Sequence, residues 1–132
     1  MKFPYLRYGH ILMPIIPLVV RIGDIRMATE ALVDSGASCS VFDAQFARAL
    51  GIKNVQKDGM IVDFEGVSGH SVRGYVHTVT LEMGGRRFPN IPIAFSNDMP
   101  DNAVNILGQE GFFELCPILF TFAKKEVELL AE

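Results

Sequence analysis

The chain has 132 residues, of which 49% are apolar and 20% are charged. This length predicts a single domain, 1–132, with a core of its own, and it excludes a cleft built from two full domains. Twelve Lys and Arg against 15 Asp and Glu give a net charge of −3. The basic excess typical of nucleic-acid binding is therefore absent, and no nucleic-acid partner is expected.

The apolar stretch Ile11–Val20 follows two basic residues, Lys2 and Arg7, in the manner of a signal peptide. Pro14 and Pro17 interrupt it, however, and it is too short to span a bilayer. We therefore predict an extended lead-in and a first strand, with no direct membrane span. A cytoplasmic location is favoured because nothing else in the sequence points to secretion.

A hairpin is predicted next. Leu18–Ile22 and Ile25–Val33 are rich in β-forming residues, and Gly23-Asp24 between them is a two-residue turn signal. The continuous apolar run Ala31-Leu32-Val33 indicates a strand end that is buried on both faces. It leads directly into a loop of small and polar residues, Asp34–Ser38.

The clearest helix signal follows this loop. Ser40 and Asp43 have the spacing of a capping box, and Gly51 stands where a helix commonly ends. Between them runs an apolar stripe at helical spacing, formed by Val41, Ala44, Phe46, Ala47 and Leu50.

Strands dominate the rest of the chain. Met60–Phe64 and Ser71–Val76 flank a Gly-rich tip and predict a long hairpin. Apolar and polar residues then alternate up to Met83, and Gly84-Gly85 predicts a tight turn into a partner strand, Arg86–Phe95. Pro89 and Pro92 in that partner favour an edge or a bend.

The C-terminal third predicts a polar loop over Ser96–Asn105, a short helix over Gln109–Leu115 and a terminal hairpin. Ile118–Phe122 and Val127–Leu129 are the arms of that hairpin, and they meet at Lys124-Lys125. The fold class is therefore mostly β, with one clear helix and one short helix.

One tripeptide gains its meaning from context. Asp34-Ser35-Gly36 is by itself an ordinary turn sequence, but it follows Ala31-Leu32-Val33 and precedes Ala37-Ser38 and a helix. Ile106-Leu107-Gly108 comes far downstream, after the Gly-tipped hairpin. In this order the motifs resemble those of the retropepsin-like aspartic proteases, which include the single-domain retroviral enzymes and cellular relatives. Ile106–Phe113 is most similar to bacterial members.

The resemblance, which covers about Leu18 to Leu130, implies an acid-protease fold: a closed β-barrel or sandwich with a hairpin flap. It implies an endopeptidase in which two aspartates share one proton and one water, with no cofactor. Asp34 is then the catalytic residue. The resemblance also implies that Ser35 hydrogen-bonds across a two-fold axis between two copies of the chain, and that Gly36 allows tight packing of the loop.

The resemblance also assigns contacts to a polypeptide substrate. Ala37 is small and leaves the floor of the cleft open, and the flap tip, formed by Gly66, Val67, Ser68 and Gly69, closes over the bound peptide.

A second catalytic aspartate is missing from the chain. No other aspartate is followed by Ser or Thr and then Gly. Because the chemistry needs two carboxylates, we expect the second one to come from another copy of the chain, in a C2 homodimer.

One residue departs from the family pattern, and the role of one segment stays open. Gln109 stands where bacterial relatives often have Arg, which puts in doubt any bracing of the site or the dimer by that Arg. The segment Glu126–Leu130 joins an interface sheet if the chain follows the retroviral members, whereas cellular members build their interfaces in other ways.

Two other functions compete with catalysis. The first is a non-catalytic peptide-binding or dimerisation module on the same fold. The second is a metal or redox site that uses Cys39, Cys116 and histidines. Two cysteines cannot form a disulfide scaffold or a four-ligand zinc site, and no histidine lies near them at metal spacing, so no metal is predicted.

Overall fold

The computed structural model describes residues 1–65, 69 and 71–132, and most of them lie in strands. The strands are β1 (Lys2–Pro4), β2 (Leu6–Tyr8), β3 (Ile11–Met13), β4 (Ile15–Ile22), β5 (Ile25–Val33), β6 (Val41–Asp43), β7 (Met60–Glu65), β8 (Ser71–Met83), β9 (Arg86–Ser96), β10 (Asn105–Leu107), β11 (Ile118–Thr121) and β12 (Glu126–Leu129). An α-helix, α1, spans Ala44–Ala49, and a 3-10 turn spans Phe122–Lys124. The mostly β prediction is confirmed. Neither helical segment of this described part has the length and apolar character needed to cross a membrane.

The largest sheet closes on itself. Its strands lie in the order β4-β5-β10-β6-β9-β8, β8 pairs back onto β4, and β7 extends the sheet beyond β8. The predicted first hairpin is the β4–β5 pair, in which Ile22 faces Ile25 across the turn. This ring is consistent with the closed barrel that the resemblance implies.

The core fills the inside of this ring. Phe42 of β6 and Phe95 of β9 are fully buried and contact each other edge to face, with ring centroids 6.3 Å apart. Ile16, Leu81 and Phe112 are buried with them. Because these side chains come from distant parts of the chain, their burial holds β4, β6, β8 and β9 together.

The N-terminus of α1 differs from the prediction. Asp43, not Ser40, caps the helix, since its carboxylate accepts a hydrogen bond of 2.8 Å from the backbone N–H of Gln45. The assignment of Ser40 to the cap was wrong because Val41–Asp43 pairs with β9 as a strand, which delays the helix.

The C-terminus of α1 agrees with the prediction. Gly51 has a φ of 95°, and its N–H donates to the carbonyl of Arg48 while the N–H of Ile52 donates to Ala47. These two bonds form a Schellman motif, which needs a residue with positive φ and therefore favours glycine.

The short helix predicted over Gln109–Leu115 does not form, and the segment is a series of turns. Gly111 has a φ of 88°, which a right-handed helix cannot contain. The carboxylate of Glu114 accepts a hydrogen bond of 2.7 Å from the N–H of Gly111 and holds this turn. The apolar residues that predicted a helix reach the core from turns, as Phe112 does.

The prolines of β9 lie where the strand has one neighbour. Pro92 pairs with Thr78 of β8, whereas β6 joins the other side of β9 only from Ala94 to Ser96. Pro89 and Pro92 therefore occupy an edge, as predicted, and their missing N–H groups remove no bond from a central strand.

The terminal hairpin forms as predicted and gains a third strand. β12 lies between β11 and β1, with Val127 opposite both Phe120 and Phe3. Both edges of β12 are thus occupied by its own chain. In the retroviral arrangement Glu126–Leu130 would join a sheet at the interface. In this structure β12 has no free edge left for a strand of a second copy.

Arginines surround Glu82 at the point where the ring closes. Glu82 of β8 faces Val19 of β4, and its carboxylate accepts a bond of 2.8 Å from Nε of Arg21. Arg26 lies at 3.3 Å and Arg87 at 3.8 Å. The hydrogen bond from Arg21, together with the other positive charges, lowers the pKa of Glu82.

This ion cluster predicts a pH-dependent contribution to stability. A carboxylate with a lowered folded-state pKa stabilises the fold above its unfolded pKa, about 4.3, and the effect is lost as the pH falls through the folded pKa. We expect Glu82→Gln to lower the melting temperature by a few degrees at pH 7 and by much less at pH 3. Thermal unfolding at both pH values measures this.

Glu30→Gln is the matched control, because Glu30 is an exposed glutamate outside this cluster. Equal shifts for the two variants at pH 7, or a larger shift for Glu82→Gln at pH 3, would contradict the assignment.

Candidate active site

Asp34 directly follows the buried end of β5. β10 runs parallel to this end, with Leu107 beside Val33, and the N–H of Asp34 donates to the carbonyl of Leu107 over 3.0 Å. The two sequence motifs, Asp34-Ser35-Gly36 and Ile106-Leu107-Gly108, therefore lie side by side. The first turn of the loop is fixed by backbone pairing.

The loop orients the Asp34 carboxylate. Its Oδ1 accepts a hydrogen bond of 2.9 Å from the N–H of Gly36, and the N–H of Ala37 donates to the Asp34 carbonyl over 3.2 Å. A Cβ on Gly36 would lie only 3.3 Å from Oδ1. Asp34 is half-buried, while Ser35 and Gly36 are exposed. The carboxylate is thus held in place at the surface of a single chain.

The segment after β10 holds the loop from the other side. The N–H of Gln109 donates to the carbonyl of Ala37 and that of Glu110 to Ser38, each over 2.9 Å. The Gln109 side chain also donates from Nε2 to the carbonyl of Ser35 over 2.6 Å. Gln109 therefore braces the loop within one chain, at the position where bacterial relatives often carry Arg.

Gly108 is required by this close contact. A Cβ at this position would lie 2.3 Å from the carbonyl oxygen of Cys39, so only glycine fits. The N–H of Gly108 donates to Oγ of Ser40 over 3.0 Å, and Ser40 is 1% exposed. Ser40, predicted as a helix cap, instead satisfies a buried donor beside the candidate site.

A cleft of about 320 Å³ adjoins Asp34. Gly36 and Ala37 line it, as do Phe64 and Glu65 at the end of β7. Three predicted site residues, Asp34, Gly36 and Ala37, therefore line one cleft together with the end of β7. Ser35 is adjacent in the chain but does not line the cleft.

The hairpin over the cleft carries the predicted flap tip. Gly66, Val67 and Ser68 lie outside the described residues. Gly69 is exposed with a φ of 80°, and a Cβ on it would meet nothing within 4 Å.

The base of this hairpin is anchored by an ion pair. Arg73 binds Asp63 directly across the hairpin, from Nε to Oδ1 at 2.8 Å and from Nη2 to Oδ2 at 3.1 Å. The hydrogen bond from Arg73 lowers the pKa of Asp63. The Arg73 backbone is also held, since Oγ of Ser96 donates to its carbonyl over 2.7 Å. The hairpin therefore joins the barrel at a fixed point.

Cys39 lines the same cleft. It is a free, half-buried thiol, and burial raises its pKa, as it does for the second free thiol, Cys116. Thiols with a raised pKa are poor nucleophiles at neutral pH. In residues 1–65, 69 and 71–132, no three His, Cys, Asp or Glu side chains come together as metal ligands.

Three residues at this site were not predicted from the sequence. Cys39 lines the cleft, Ser40 holds Gly108, and Gln109 holds Ser35. Ser40 and Gln109 act through partners on distant segments, so no local pattern marks them. The one local signal in the sequence was the glycine of Ile106-Leu107-Gly108, which allows the close approach of this segment to Cys39.

A strand-mounted Asp-Ser-Gly loop, braced by a hydrophobic-hydrophobic-Gly segment beneath a hairpin, is the arrangement that the resemblance to aspartic proteases predicts. A family model described as aspartyl protease matches residues 18–110. The chain belongs to this family and is an aspartic endopeptidase, and its fold is that of the retropepsin-like proteases. No curated protein sequence matches it.

Solved structures share the fold. A retropepsin-like aspartic protease from Rickettsia conorii superimposes with a TM-score of 0.64 at 16% identity, over 96% of this chain and 97% of that one. The EIAV protease, solved with an inhibitor, gives a TM-score of 0.55 at 21% identity, over 79% of this chain and 88% of the viral one. The predicted fold class is confirmed.

The buried bond between Ser40 and Gly108 predicts a stability effect. Ser40→Ala leaves the Gly108 N–H without its acceptor, which should lower the free energy of unfolding by about 1–3 kcal/mol. Urea denaturation measures this. Ser71→Ala, at an exposed serine of β8, is the control. Equal midpoints for the two variants would contradict a structural role for Ser40.

Proposed function

We propose that the working enzyme is a C2 homodimer in which Asp34 of each chain supplies one of the two catalytic carboxylates. The observation that carries this proposal is the single Asp-Ser-Gly loop at the surface. Asp34 is half-buried there, and Ser35 and Gly36 are exposed. A two-fold axis beside such a loop brings two identical carboxylates together.

The chemistry requires the two carboxylates to differ in protonation. Like charges in close contact cannot both ionise readily, so the pair holds one proton, as the aspartic proteases illustrate in general. The ionised carboxylate takes a proton from a water molecule, and this water attacks the peptide carbonyl carbon. The protonated carboxylate donates a hydrogen bond to the developing oxyanion. The carboxyl group that took the proton from water passes it to the leaving nitrogen as the C–N bond breaks.

The neighbouring loop residues support this arrangement. The N–H of Gly36 already binds Oδ1 of Asp34 and fixes the rotation of the carboxylate. The Ser35 backbone is held by Gln109, so its exposed hydroxyl is carried on a rigid turn. In the proposed dimer this hydroxyl bonds across the axis and joins the two loops.

The proposed substrate is an extended polypeptide lying between the Asp34 loop and the β7–β8 hairpin. Ala37 and Phe64 line this cleft, as do the apolar side chains of Val41 and Ile106. An extended peptide presents backbone groups to such edges and side chains to alternating pockets. Gly66, Val67, Ser68 and Gly69 would close over it as the flap.

The competing function is a non-catalytic peptide-binding or dimerisation module on this fold. It uses the same cleft, and substitution of Asp34 separates the two.

We expect Asp34→Asn to reduce peptide cleavage by about three orders of magnitude or more, because the amide cannot accept the proton from water. The protein should still fold and still sediment at twice the chain mass of 14.6 kDa. A statine-type inhibitor should block the wild type. Cleavage of a fluorogenic peptide and sedimentation equilibrium measure these effects.

Asp58→Asn is the control, since Asp58 is exposed and its φ of 61° suits asparagine as well as aspartate. Full activity of Asp34→Asn would contradict the catalytic assignment. An active monomer would contradict the shared site, and a dimer that binds peptides without cleaving them would favour the competing function.

The shared proton also predicts the pH dependence of cleavage. Activity should be highest at acidic to mildly acidic pH and fall once both carboxylates of the pair are ionised, because no acid then remains for the oxyanion. A profile of kcat/KM against pH measures this. Activity that rises steadily beyond neutral pH would oppose the mechanism.

A further inference from the structure

A second cavity lies beside the candidate cleft. It has a volume of about 360 Å³, and its floor is formed by Val76 of β8 and Ala94 of β9, which face each other in register. Met60 of β7 pairs with Val76 and extends this floor, and Val62 of β7 also lines the cavity. Cys39 borders both this cavity and the cleft that holds Asp34, so the two spaces share one wall.

This arrangement suits an extended peptide. Successive side chains of a strand point to opposite faces, so every second side chain points the same way, about 6.6 Å from the last. Two adjoining cavities that share one side chain as their wall are therefore reached by residues two positions apart. The residue beside Asp34 and the one two positions further along would fill the cleft and the second cavity.

The lining defines which side chain fits. Most of it is apolar, and Met60 and Ile61 are large apolar residues left 69% and 58% exposed on β7. Glu110 is the charged residue of the lining. It is exposed, and its backbone forms a β-bridge with Cys39, so Glu110 lies beside the shared wall.

The other polar groups of the lining offer little to a ligand. The hydroxyl of Ser40 already accepts the Gly108 N–H, and the Cys39 thiol is neutral. An apolar cavity with a carboxylate at its edge fits a side chain with an aliphatic stem and a cationic end, because such a side chain packs its stem and keeps its charge at the edge.

We propose that this second cavity is a substrate-specificity site for an Arg or Lys side chain, with its stem on Val76 and Met60 and its charge at Glu110. The inference rests on the proposed function and specifies the substrate class. In the homodimer each chain supplies one such cavity, so the preference applies on both sides of the scissile bond.

The test is a set of fluorogenic peptides built on one cleaved sequence. Each position in turn carries Arg, Met or Glu. At the position two residues beyond the one bound beside Asp34, we expect Arg to be favoured over Glu by about tenfold in kcat/KM, mostly through KM, with Met between them. Glu110→Gln should remove the advantage of Arg over Met, and Glu110→Lys should favour Glu.

Two further variants complete the test. Ala94→Leu fills the floor and should weaken binding of both Arg and Met at this position. Glu132→Gln removes the same charge from the exposed C-terminal end and should leave the preference unchanged. If Glu110→Gln keeps the full preference for Arg, or no position shows one, the specificity site is wrong while the protease remains.

Failure of the protease proposal gives a different result. If no peptide is cleaved, binding of the Arg and Glu peptides to the Asp34→Asn protein, measured by calorimetry, still reports on the cavity. Tighter binding of the Arg peptide that is lost in Asp34→Asn/Glu110→Gln supports the site without catalysis. Equal binding of both peptides overturns it.

Discussion

The candidate site depends on one set of backbone hydrogen bonds, those between the Asp34 loop and the segment that follows β10. The N–H groups of Gln109 and Glu110 bind the carbonyls of Ala37 and Ser38, and the N–H of Asp34 binds Leu107. Each bond contributes only about 1 kcal/mol, but together they hold both ends of the loop. The carboxylate is therefore positioned before any substrate arrives, which electrostatic catalysis requires.

These bonds exist only because the barrel closes. β10 inserts between β5 and β6, parallel to the first and antiparallel to the second, and this brings Gly108 against Cys39. β5, β10 and β6 are neighbours in a closed ring of strands, and the β4–β8 pairing near Glu82 completes that ring. Stability at the ring closure and geometry at the site are thus parts of one structure.

The predictability of each feature follows from the range of the forces behind it. The β4–β5 hairpin, the turn at Gly84-Gly85 and the C-terminus of α1 are set by neighbouring residues, and the sequence predicts them. Ser40 is held by a long-range bond to Gly108 that outweighs its local capping propensity. The turns after Gln109 are set by the positive φ of Gly111 and its bond to Glu114, which the apolar spacing that predicts a helix does not reveal. The position of Asp34 could be predicted because its motif carries strand, loop and glycine signals in a specific order.

The terminal sheet limits how the proposed dimer can form. β12 is flanked by β1 and β11 of its own chain, so in this sheet a second copy finds only the outer edges of β1 and β11. An interface without exchanged β12 strands must draw on surfaces near the two-fold axis, where Ser35 and Gly36 are exposed. In the proposed dimer, a shared site ties catalysis to protein concentration, because each chain then holds half of the proton-sharing pair.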